Sequence, residues 1–441
     1  MPAPSWRESL AVYLQRRVLI VLLLGFSSGL PLALSGSTLL IWMREAGVDL
    51  GTIGLFALVG TPYTLKFLWA PLVDALHVPF FTRRFGRRRG WLLFSQLLLI
   101  ATILLLAAAD PARSPPFVAL AALLVATASS TQDIVVDAFR VESLPESEQA
   151  AGMAGYVAAY RIGMLVSTAG ELFIVSGFES TGMTRPAAWM WGYLAMAALV
   201  LVGTFTALAA TEPEQSVRAE AATRAEAAFT RVIHAAIGAF SEFLSRKNAL
   251  AVLAFVVLFK FTDAFSGTMT APFVIDLGFS RNDYAAIVKG VGLAATLIGG
   301  FAGGFVARRY SLAASLWIGG VLQGIANLSF SWLALTGVNQ WALALAITAE
   351  NFTSAIGTVI FVAYLSALCQ NPLHTATQYA LLTALAAIGR TYLSSGAGYV
   401  AKATGWPLFF AICVVVAVPS LLLLSWLQRR GHFETLAPVK V

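Results

Sequence analysis

Apolar segments long enough to cross a lipid bilayer recur along nearly the whole chain of 441 residues. A helix needs about 20 apolar residues to cross the hydrocarbon layer, which is roughly 30 Å thick. Only 12% of the residues are charged and 58% are hydrophobic, whereas soluble domains carry about 25% charged residues. The pattern therefore predicts a polytopic membrane protein and excludes a soluble globular domain.

Twelve such spans are predicted, and all of them should be helices. Backbone groups in lipid need hydrogen bonds within their own segment, and the apolar runs lack the alternation of membrane β-strands. The first span is expected to stay in the mature protein, because it is too long for a cleavable signal peptide. The predicted spans are 17–42, 50–72, 90–109, 116–139, 151–176, 188–209, 249–275, 284–307, 312–334, 341–368, 378–401 and 407–427.

The longest polar segment, residues 211–248, divides these spans into two sets of six. It is rich in Ala, Glu and Arg, and its apolar positions recur at helical spacing. We therefore expect an amphipathic linker helix on the membrane surface. The predicted organisation is an N-terminal six-helix bundle (1–210), a cytoplasmic linker (211–248), and a C-terminal six-helix bundle with a short cytoplasmic tail (249–441).

A weak internal repeat supports the division into two pseudo-symmetric bundles. Ser35-Gly36-Ser37 in the first span is matched by Ser266-Gly267-Thr268 in the seventh. Parallel repeats with a substrate site between them near the midplane are typical of transporters that alternate access. Small residues also permit close helix contact, so packing alone is an alternative explanation.

The distribution of Lys and Arg predicts that both termini are cytoplasmic, because short cytoplasmic loops carry an excess of these residues. In this topology most of the 29 Lys and Arg residues lie on one side. The net charge of +7 then follows from topology and gives no support to nucleic-acid binding. The other side has only Arg44, Arg113, Arg185, Arg281 and Lys402.

The loop between the second and third spans, APLVDALHVPFFTRRFGRRRGW, resembles the loop signature of the major facilitator family. In that family the Asp and the basic residues form cytoplasmic contacts that stabilise one conformation. A plain cytoplasmic anchor is the alternative, and Asp137 with Arg140 could be a structural ion pair. The predicted gating residues are Asp74, Arg87, Arg88, Arg89, Asp137 and Arg140.

Ionisable residues inside the spans indicate a polar cavity, because each costs about 2.5 to 3.5 kcal/mol to insert. Asp133 and Asp137 are four residues apart, and Lys260 and Asp263 are three apart, so each pair shares a helix face. A carboxyl group in such a cavity can take up and release a proton as water access alternates. The predicted proton-coupling residues are Asp133, Asp263 and Glu350; structural ion pairing is the alternative for each.

Several other functions find no support in the sequence. No Walker A motif appears, so ATP hydrolysis is not expected. The four His residues fall at loops or helix ends, so no histidine within the membrane is available as an acid or base for an enzyme. Cys369 and Cys413 have no nearby His or Cys that could complete a metal site. Secondary, ion-coupled transport, with no cofactor and no catalytic residue, is therefore expected.

Longer stretches resemble one particular family, the AmpG-type muropeptide permeases. The resemblance runs from about residue 25 to residue 410, so it covers essentially the whole membrane domain. The stretches are GLPLALSGSTLLIW, GTPYTLKFLWAPLVD, GRRRGW, SSTQDIVVDAFR, YRIGML, FKFTDAFSGTMTAPFVIDLGFS, ENFTSAIGTVIFVAYLSALC and TATQYALLTALAAIGR.

This resemblance implies proton-driven import of anhydro-muropeptides across the bacterial inner membrane for peptidoglycan recycling, a flux that in the family sets the inducing signal for β-lactamase. Expected partners are the muropeptide, protons and the bilayer, and the chain is expected to act as a monomer. Transport of another bulky anion such as acetyl-CoA is the alternative. Lys and Arg could neutralise the peptide carboxylates of the ligand, amide side chains could form hydrogen bonds with it, and tyrosine rings could lie under a sugar face. The candidate substrate-binding residues are Tyr63, Lys66, Gln132, Arg161, Lys260, Asn351, Gln378, Tyr379 and Arg390.

Overall fold

The computed structural model describes residues 14–213, 244–245, 247–368, 375–434 and 436. This part of the chain is helical and contains no strand. Ten of its helices are long and apolar enough to cross a membrane. The predicted all-α membrane fold is therefore confirmed for the described residues, whereas almost all of the predicted linker 211–248 lies outside them.

The second and eleventh predicted spans are interrupted helices. The second span contains 3-10 turns at Phe56–Gly60 and Lys66–Leu68, and the eleventh contains one at Ser394–Gly396. Pro62 and Pro71 each stand near the start of a new helical segment, where the missing N–H of proline costs no hydrogen bond. Interruptions at membrane depth are tolerated where surrounding protein or a water-filled cavity satisfies the freed backbone groups.

The chain divides into two compact units, of which the first comprises residues 1–46 and 59–229. Helices α1 (Arg16–Glu45) and α5 (Glu146–Leu165 and Glu171–Ser180) lie very close together here. A Cβ atom added to Gly29 would lie 2.0 Å from Tyr160 O, and one added to Gly163 would lie 2.3 Å from Phe26 O. The helices are α1 (Arg16–Glu45), the later segments of α2 (Thr61–Leu65 and Ala70–Ala75), α3 (Arg87–Ala107), α4 (Pro115–Ser143), α5 (Glu146–Leu165 and Glu171–Ser180) and α6 (Arg185–Ala209).

Both α1 and α5 contain a π-helical turn, and the two turns face each other. They span Leu34–Thr38 and Val166–Gly170. Thr38 Oγ1 donates a hydrogen bond of 2.7 Å to Ser167 O. Such wide turns inside α-helices are frequent at functional sites, and this hydrogen bond joins the two directly.

The second unit comprises residues 47–58 and 230–441. Its apolar core is built around α7 (Ala249–Asp276), α10 (Gln340–Leu368) and α12 (Trp406–Arg429). The core contains Phe255, Phe259 and Tyr364. The helices are the first segment of α2 (Leu50–Leu55), α7 (Ala249–Asp276), α8 (Arg281–Asp283, a π-helix Tyr284–Val291, and Gly292–Arg309), α9 (Leu312–Thr336), α10 (Gln340–Leu368), α11 (Thr375–Leu393 and Ala397–Thr404) and α12 (Trp406–Arg429).

Glycines allow two close approaches in this unit. A Cβ atom added to Gly398 on α11 would lie 1.8 Å from Leu50 O on α2, and Asp49 at the start of that α2 segment pairs with Lys402 at 3.2 Å. Along α8, a Cβ atom on Gly299 would lie 2.4 Å from Phe352 O of α10. The backbone of the first α2 segment therefore lies directly against that of α11, and the backbone of α8 lies directly against that of α10.

Candidate functional site

The predicted gating arginines lie at one end of the first unit, here called the basic end and defined by Arg87, Arg88 and Arg89 at the start of α3. Arg88 Nε donates to Glu142 Oε2 at the end of α4 over 3.0 Å. Arg89 donates to the carbonyl oxygens of Ala207 and Leu208 at the end of α6. The arginines therefore join three helix ends.

Glu212, which follows α6, completes this arrangement. Its carboxylate accepts hydrogen bonds from the backbone N–H groups of Arg88, at 2.8 Å, and of Arg89, at 3.0 Å. A carboxylate at a helix N-terminus satisfies unpaired N–H groups and interacts favourably with the helix dipole. The sequence reasoning did not single out Glu212, because nothing in its local sequence shows that it contacts a helix more than a hundred residues earlier.

A cation and two carboxylates meet where α2 runs beside α4. Lys66 Nζ lies 4.0 Å from Asp133 Oδ2 and 4.0 Å from Asp137 Oδ2. Asp133 is buried, whereas Lys66 and Asp137 are partly exposed. We call these three residues the first polar cluster. Both distances are at the limit of ion-pair contact, so the ammonium group is shared between the two carboxylates.

The interruption of α2 positions Lys66. The 3-10 turn begins at Lys66, and Trp69 directly after it donates Nε1 to Thr131 Oγ1 over 3.2 Å. Thr131 lies on α4 two residues before Asp133. This hydrogen bond therefore fixes the lengthwise position of α2 on α4 and brings the lysine to the carboxylates.

Three other predicted residues of the first unit differ in how they relate to this cluster. The hydroxyl group of Tyr63 is buried and lies within electrostatic range of Asp133. Gln132 is fully buried and donates Nε2 to Ser28 Oγ on α1 over 3.4 Å, so it links α4 to α1. Arg140 lies 3.9 Å from Asp137, which is the ion pair that the sequence offered as an alternative to a gating role.

A second set of charges lies in the second unit. Lys260 Nζ donates to Asp263 Oδ2 at 2.7 Å and to Thr358 Oγ1 at 2.9 Å. Ser354 Oγ also donates to Asp263 Oδ2, at 3.0 Å. The spacing of three residues on α7 thus produces the shared face that the sequence predicted, and α10 supplies the hydroxyl groups that surround the ion pair.

Glu350 and Asn351 adjoin this ion pair on α10. Asn351 Nδ2 donates to Glu350 Oε2 at 2.8 Å, and Thr296 Oγ1 on α8 donates to Asn351 Oδ1 at 3.2 Å. The Glu350 carboxylate lies within electrostatic range of Asp263, Lys260 and Lys289. We call Lys260, Asp263, Lys289, Glu350 and Asn351 the second polar cluster.

Lys289 is the member of this cluster that sequence reasoning missed. No spacing relationship in the sequence connects it to the other charged residues. Glu350 lies 61 positions further along the chain on another helix, and a π-helix sets the orientation of Lys289. The only usable signal was the presence of a lysine within an apolar segment, which is costly unless it has a partner.

Of four further predicted binding residues, two lie apart from these clusters and two have side chains outside the described part of the structure. Arg161 on α5 and Arg390 on α11 are exposed, and within the described residues neither forms an ion pair with a cluster carboxylate. The side chains of Gln378 and Tyr379 lie outside the described residues, as does that of the gating candidate Asp74.

Comparison with known proteins places the chain in a family. Residues 21–392 match the Major Facilitator Superfamily. An anhydromuropeptide permease of Escherichia coli K12 is 39% identical over 95% of this chain and 81% of its own length. A putative transporter AmpG 4 of Rickettsia conorii is 34% identical over 95% of this chain and 98% of its own length. The chain belongs to the AmpG-type family of the Major Facilitator Superfamily.

Solved structures confirm the fold of this AmpG-type protein. A D-xylose-proton symporter superimposes with a TM-score of 0.67 at 14% identity, covering 93% of this chain and 97% of the other. The nucleoside transporter NupG gives a TM-score of 0.68 at 13% identity, covering 94% and 99%. The major facilitator fold predicted from the sequence is thereby confirmed. Family membership and the similarity to a permease show that the protein is a multi-pass membrane transporter and not an enzyme.

Proposed function

We propose that this AmpG-type transporter imports anhydro-muropeptides, disaccharide-peptide fragments of peptidoglycan, from the periplasm to the cytoplasm in symport with protons. The observation that carries the proposal is the 39% identity to an anhydromuropeptide permease along 95% of the chain. A similarity that covers so much of the chain extends across the segments that contain the two polar clusters. These clusters are the parts of the molecule suited to an anionic, hydroxylated ligand.

The chemistry of the two clusters supports this ligand class. Muropeptides carry carboxylates on the peptide and hydroxyl groups on the sugars, and ammonium groups and amides are the protein groups that bind them. Lys66 is 35% exposed at its side chain and is only loosely held by Asp133 and Asp137. It is therefore available to a ligand carboxylate in a way that a tightly bound, buried lysine is not.

The same clusters support proton coupling through Asp133, Asp263 and Glu350. Asp133 and Asp263 each lie beside an ammonium group, and the charges of Lys260 and Lys289 act on Glu350. Protonation of a carboxylate removes its hold on the neighbouring cation, which is then able to bind the substrate anion. Proton and substrate binding would consequently favour each other through the same charges, as reciprocal linkage requires.

The proposed location is the bacterial inner membrane, with the basic end facing the cytoplasm. Arg16 at the start of α1 donates to Ala209 O at the end of α6, so Arg16 lies at the same end as Arg87 to Arg89. This concentration of arginine fits the cytoplasmic excess of basic residues in membrane proteins. Efficient labelling of single cysteines in the 211–248 segment from the periplasmic side of intact cells would contradict this orientation.

Uptake into proteoliposomes tests the transport activity. The purified protein should concentrate labelled anhydro-muropeptide when an inward proton gradient is imposed, and a protonophore should abolish the concentration. Unlabelled acetyl-CoA should not compete. Accumulation of labelled acetyl-CoA in place of the muropeptide would show that the ligand is a different bulky anion, and accumulation without a gradient would exclude proton coupling.

A further inference from the structure

An exposed face of α12 ends at two arginines. Four exposed apolar residues of this helix are spaced three or four positions apart, so they lie along one line on its surface. Because α12 is long and apolar enough to cross a membrane, this line runs from the hydrocarbon layer to the level of the lipid headgroups. Arg429 and Arg430 are exposed at that level. The line, here called the α12 line, consists of Val415, Val418, Leu422 and Trp426.

The last residue of the α12 line positions one of the arginines. Arg430 Cζ lies 5.2 Å from the centroid of the Trp426 ring, and Arg430 N donates to Trp426 O at 3.1 Å. A guanidinium group over an indole ring is attracted electrostatically by the face of the ring. Tryptophan is also enriched where a membrane meets water. The Arg430 charge is therefore held beside an interfacial aromatic ring at the end of the line.

Contacts with two other helices fix the end of α12. Trp317 Nε1 on α9 donates to Gln428 Oε1 at 3.1 Å, and His432 Nε2, just after α12, lies 3.0 Å from the Tyr364 hydroxyl group on α10. An indole nitrogen only donates, so the Gln428 atom that meets it is the oxygen. The exposed Gln428 side chain consequently has its amide N–H groups available as donors next to the two arginines.

The charge at this end of α12 is positive. Among the described residues, none forms an ion pair with Arg429 or Arg430. The carboxylate nearest to them in sequence is that of the exposed Glu434, which lies against Gly431, where an added Cβ atom would be 3.4 Å from Glu434 Oε2. Guanidinium groups bind phosphate through paired hydrogen bonds. Two exposed guanidinium groups and an amide donor at headgroup level are therefore suited to a phosphate group.

We propose that Arg429, Arg430 and Gln428 bind the phosphate group of an anionic phospholipid whose acyl chain lies along the α12 line. The continuity of the apolar line with the cations favours a lipid over a soluble phosphate, because a soluble ion would gain nothing from the line. The positive charge favours an anionic lipid over a zwitterionic one. The site uses no residue of either polar cluster, and it does not depend on the identity of the transported ligand.

Native mass spectrometry of the full-length protein in detergent measures this binding directly. The protein is titrated with dioleoyl phosphatidylglycerol and, separately, with dioleoyl phosphatidylcholine, and the wild type should bind phosphatidylglycerol more tightly. Arg429→Gln combined with Arg430→Gln should weaken its binding about 25-fold, since each arginine near an anionic headgroup contributes roughly fivefold. Binding of phosphatidylcholine should change far less, because its choline group already neutralises the phosphate.

Two further variants separate charge from packing. Arg429→Lys combined with Arg430→Lys should retain most of the affinity for phosphatidylglycerol, because it keeps both charges. Trp426→Leu keeps an apolar side chain on the α12 line but removes the ring that positions Arg430. It should weaken binding of phosphatidylglycerol about two- to fivefold, the range expected for an exposed cation–π contact.

Arg309→Gln is the matched control. Arg309 is an exposed arginine at the end of α8, and its guanidinium group also lies beside a ring, that of Tyr310 at 5.8 Å. It lies at the same end of the unit, because Ser315 Oγ near the start of α9 donates to Val306 O near the end of α8. Its replacement removes one charge without altering the α12 line. Binding of phosphatidylglycerol should stay within about twofold of the wild type.

Soluble phosphates distinguish a lipid site from a general phosphate site. Inorganic phosphate and sn-glycero-3-phosphoglycerol, which has the same headgroup without acyl chains, should not displace the lipid at millimolar concentrations. Displacement by either would show that the site takes a soluble phosphate and would overturn the assignment to a lipid.

Three other results would overturn the inference. One is equal affinity of the wild type for the two lipids. Another is unchanged binding of phosphatidylglycerol in a folded protein that carries both glutamines. The third is a loss in Arg309→Gln as large as that in Arg430→Gln alone, because it would show a diffuse attraction to all basic residues at this end and not a site on α12.

Discussion

The Lys260 ammonium group donates a hydrogen bond of 2.7 Å to Asp263 Oδ2, one helical turn away on the same face of α7. The lysine is buried, and charges are costly to bury unless they are paired and hydrogen-bonded. Thr358 and Ser354 of α10 supply further hydrogen bonds to the two partners. The pair is thus part of the contact between α7 and α10 as well as a feature of the polar cluster.

The first prediction concerns the stability that this pair confers. Asp263→Leu should destabilise the protein by about 3 to 5 kcal/mol, because it leaves a buried ammonium group without its counter-charge. Lys260→Met combined with Asp263→Leu should recover most of the loss. Thermal unfolding followed by tryptophan fluorescence measures both. A single variant as stable as the wild type would show that the ammonium group is satisfied without the carboxylate.

The second prediction uses two neighbouring glycines of α8 that have opposite surroundings. Gly299→Ala should lower the unfolding temperature, because its Cβ atom would lie 2.4 Å from Phe352 O, a backbone atom that does not move aside cheaply. Gly300→Ala is the control, since no atom lies within 4 Å of its added Cβ atom and alanine favours helix. Equal unfolding temperatures for the two variants would contradict the close approach of α8 and α10.

Sequence reasoning identified what is encoded within one helix and missed what depends on contacts between helices. The pairing of Lys260 with Asp263 follows from a spacing of three residues, and the interruption of α2 has a visible cause in Pro62 and Pro71. The electrostatic interaction of Lys289 with Glu350 is different. It depends on a π-helix in α8 and on glycines that set the distance to α10, and neither leaves a periodic signal.

The matched glycines of the two repeats also show that contacts between helices cannot be read from the sequence. Close helix packing was one explanation for Gly36 and Gly267, yet an added Cβ atom at either position would have no neighbour within 4 Å. Packing therefore does not account for these two residues. Gly36 instead lies in the π-helical turn of α1, Leu34–Thr38.

The third prediction concerns the basic end of the first unit. Arg88→Gln should slow transport while ligand affinity stays within a few-fold, because Arg88 bonds Glu142 at the basic end of the first unit. Uptake rates and equilibrium binding measured on the same preparation separate the two effects. Arg113→Gln is the control, since it neutralises an arginine that is 88% exposed. Loss of all binding in a folded Arg88→Gln protein would contradict a gating role.

The fourth prediction is a pH dependence at the segment that follows α12. His432 Nε2 lies 3.0 Å from the Tyr364 hydroxyl group, and burial lowers the pKa of His432 below its ordinary value of 6.5. A lowered histidine pKa means that the folded state prefers the neutral ring. The stabilisation is therefore fully present above about pH 6.5 and is lost as the pH falls below that value.

Unfolding temperatures of the wild type and of His432→Gln between pH 8 and pH 5 test this sign. The wild type should lose more stability than the variant as the pH falls through this range, because only the wild type takes up a proton at this position on unfolding. A difference between the two proteins that is constant across the range would show that His432 contributes packing alone.

The last prediction addresses which carboxylate carries the proton. The charges of Lys260 and Lys289 act on the Glu350 carboxyl group, and Lys260 is itself bound by Asp263. Removing the ionisable group at Glu350 should therefore break the link between proton and substrate while leaving the rest of the cluster bonded, because Gln keeps an oxygen that accepts the Asn351 hydrogen bond. Glu350→Gln should lose proton-driven accumulation of substrate and retain downhill exchange.

Asp263→Asn provides the comparison within the same cluster. Its amide oxygen still accepts from Lys260 and Ser354, so the protein should fold, but the weaker pairing releases Lys260 and should reduce the rate of exchange as well as accumulation. Counterflow and gradient-driven uptake in proteoliposomes distinguish the two patterns. If both neutral variants concentrate substrate at wild-type rates, the proton passes through the first polar cluster, and Asp133, buried beside the shared ammonium group of Lys66, is the carboxylate that remains to carry it.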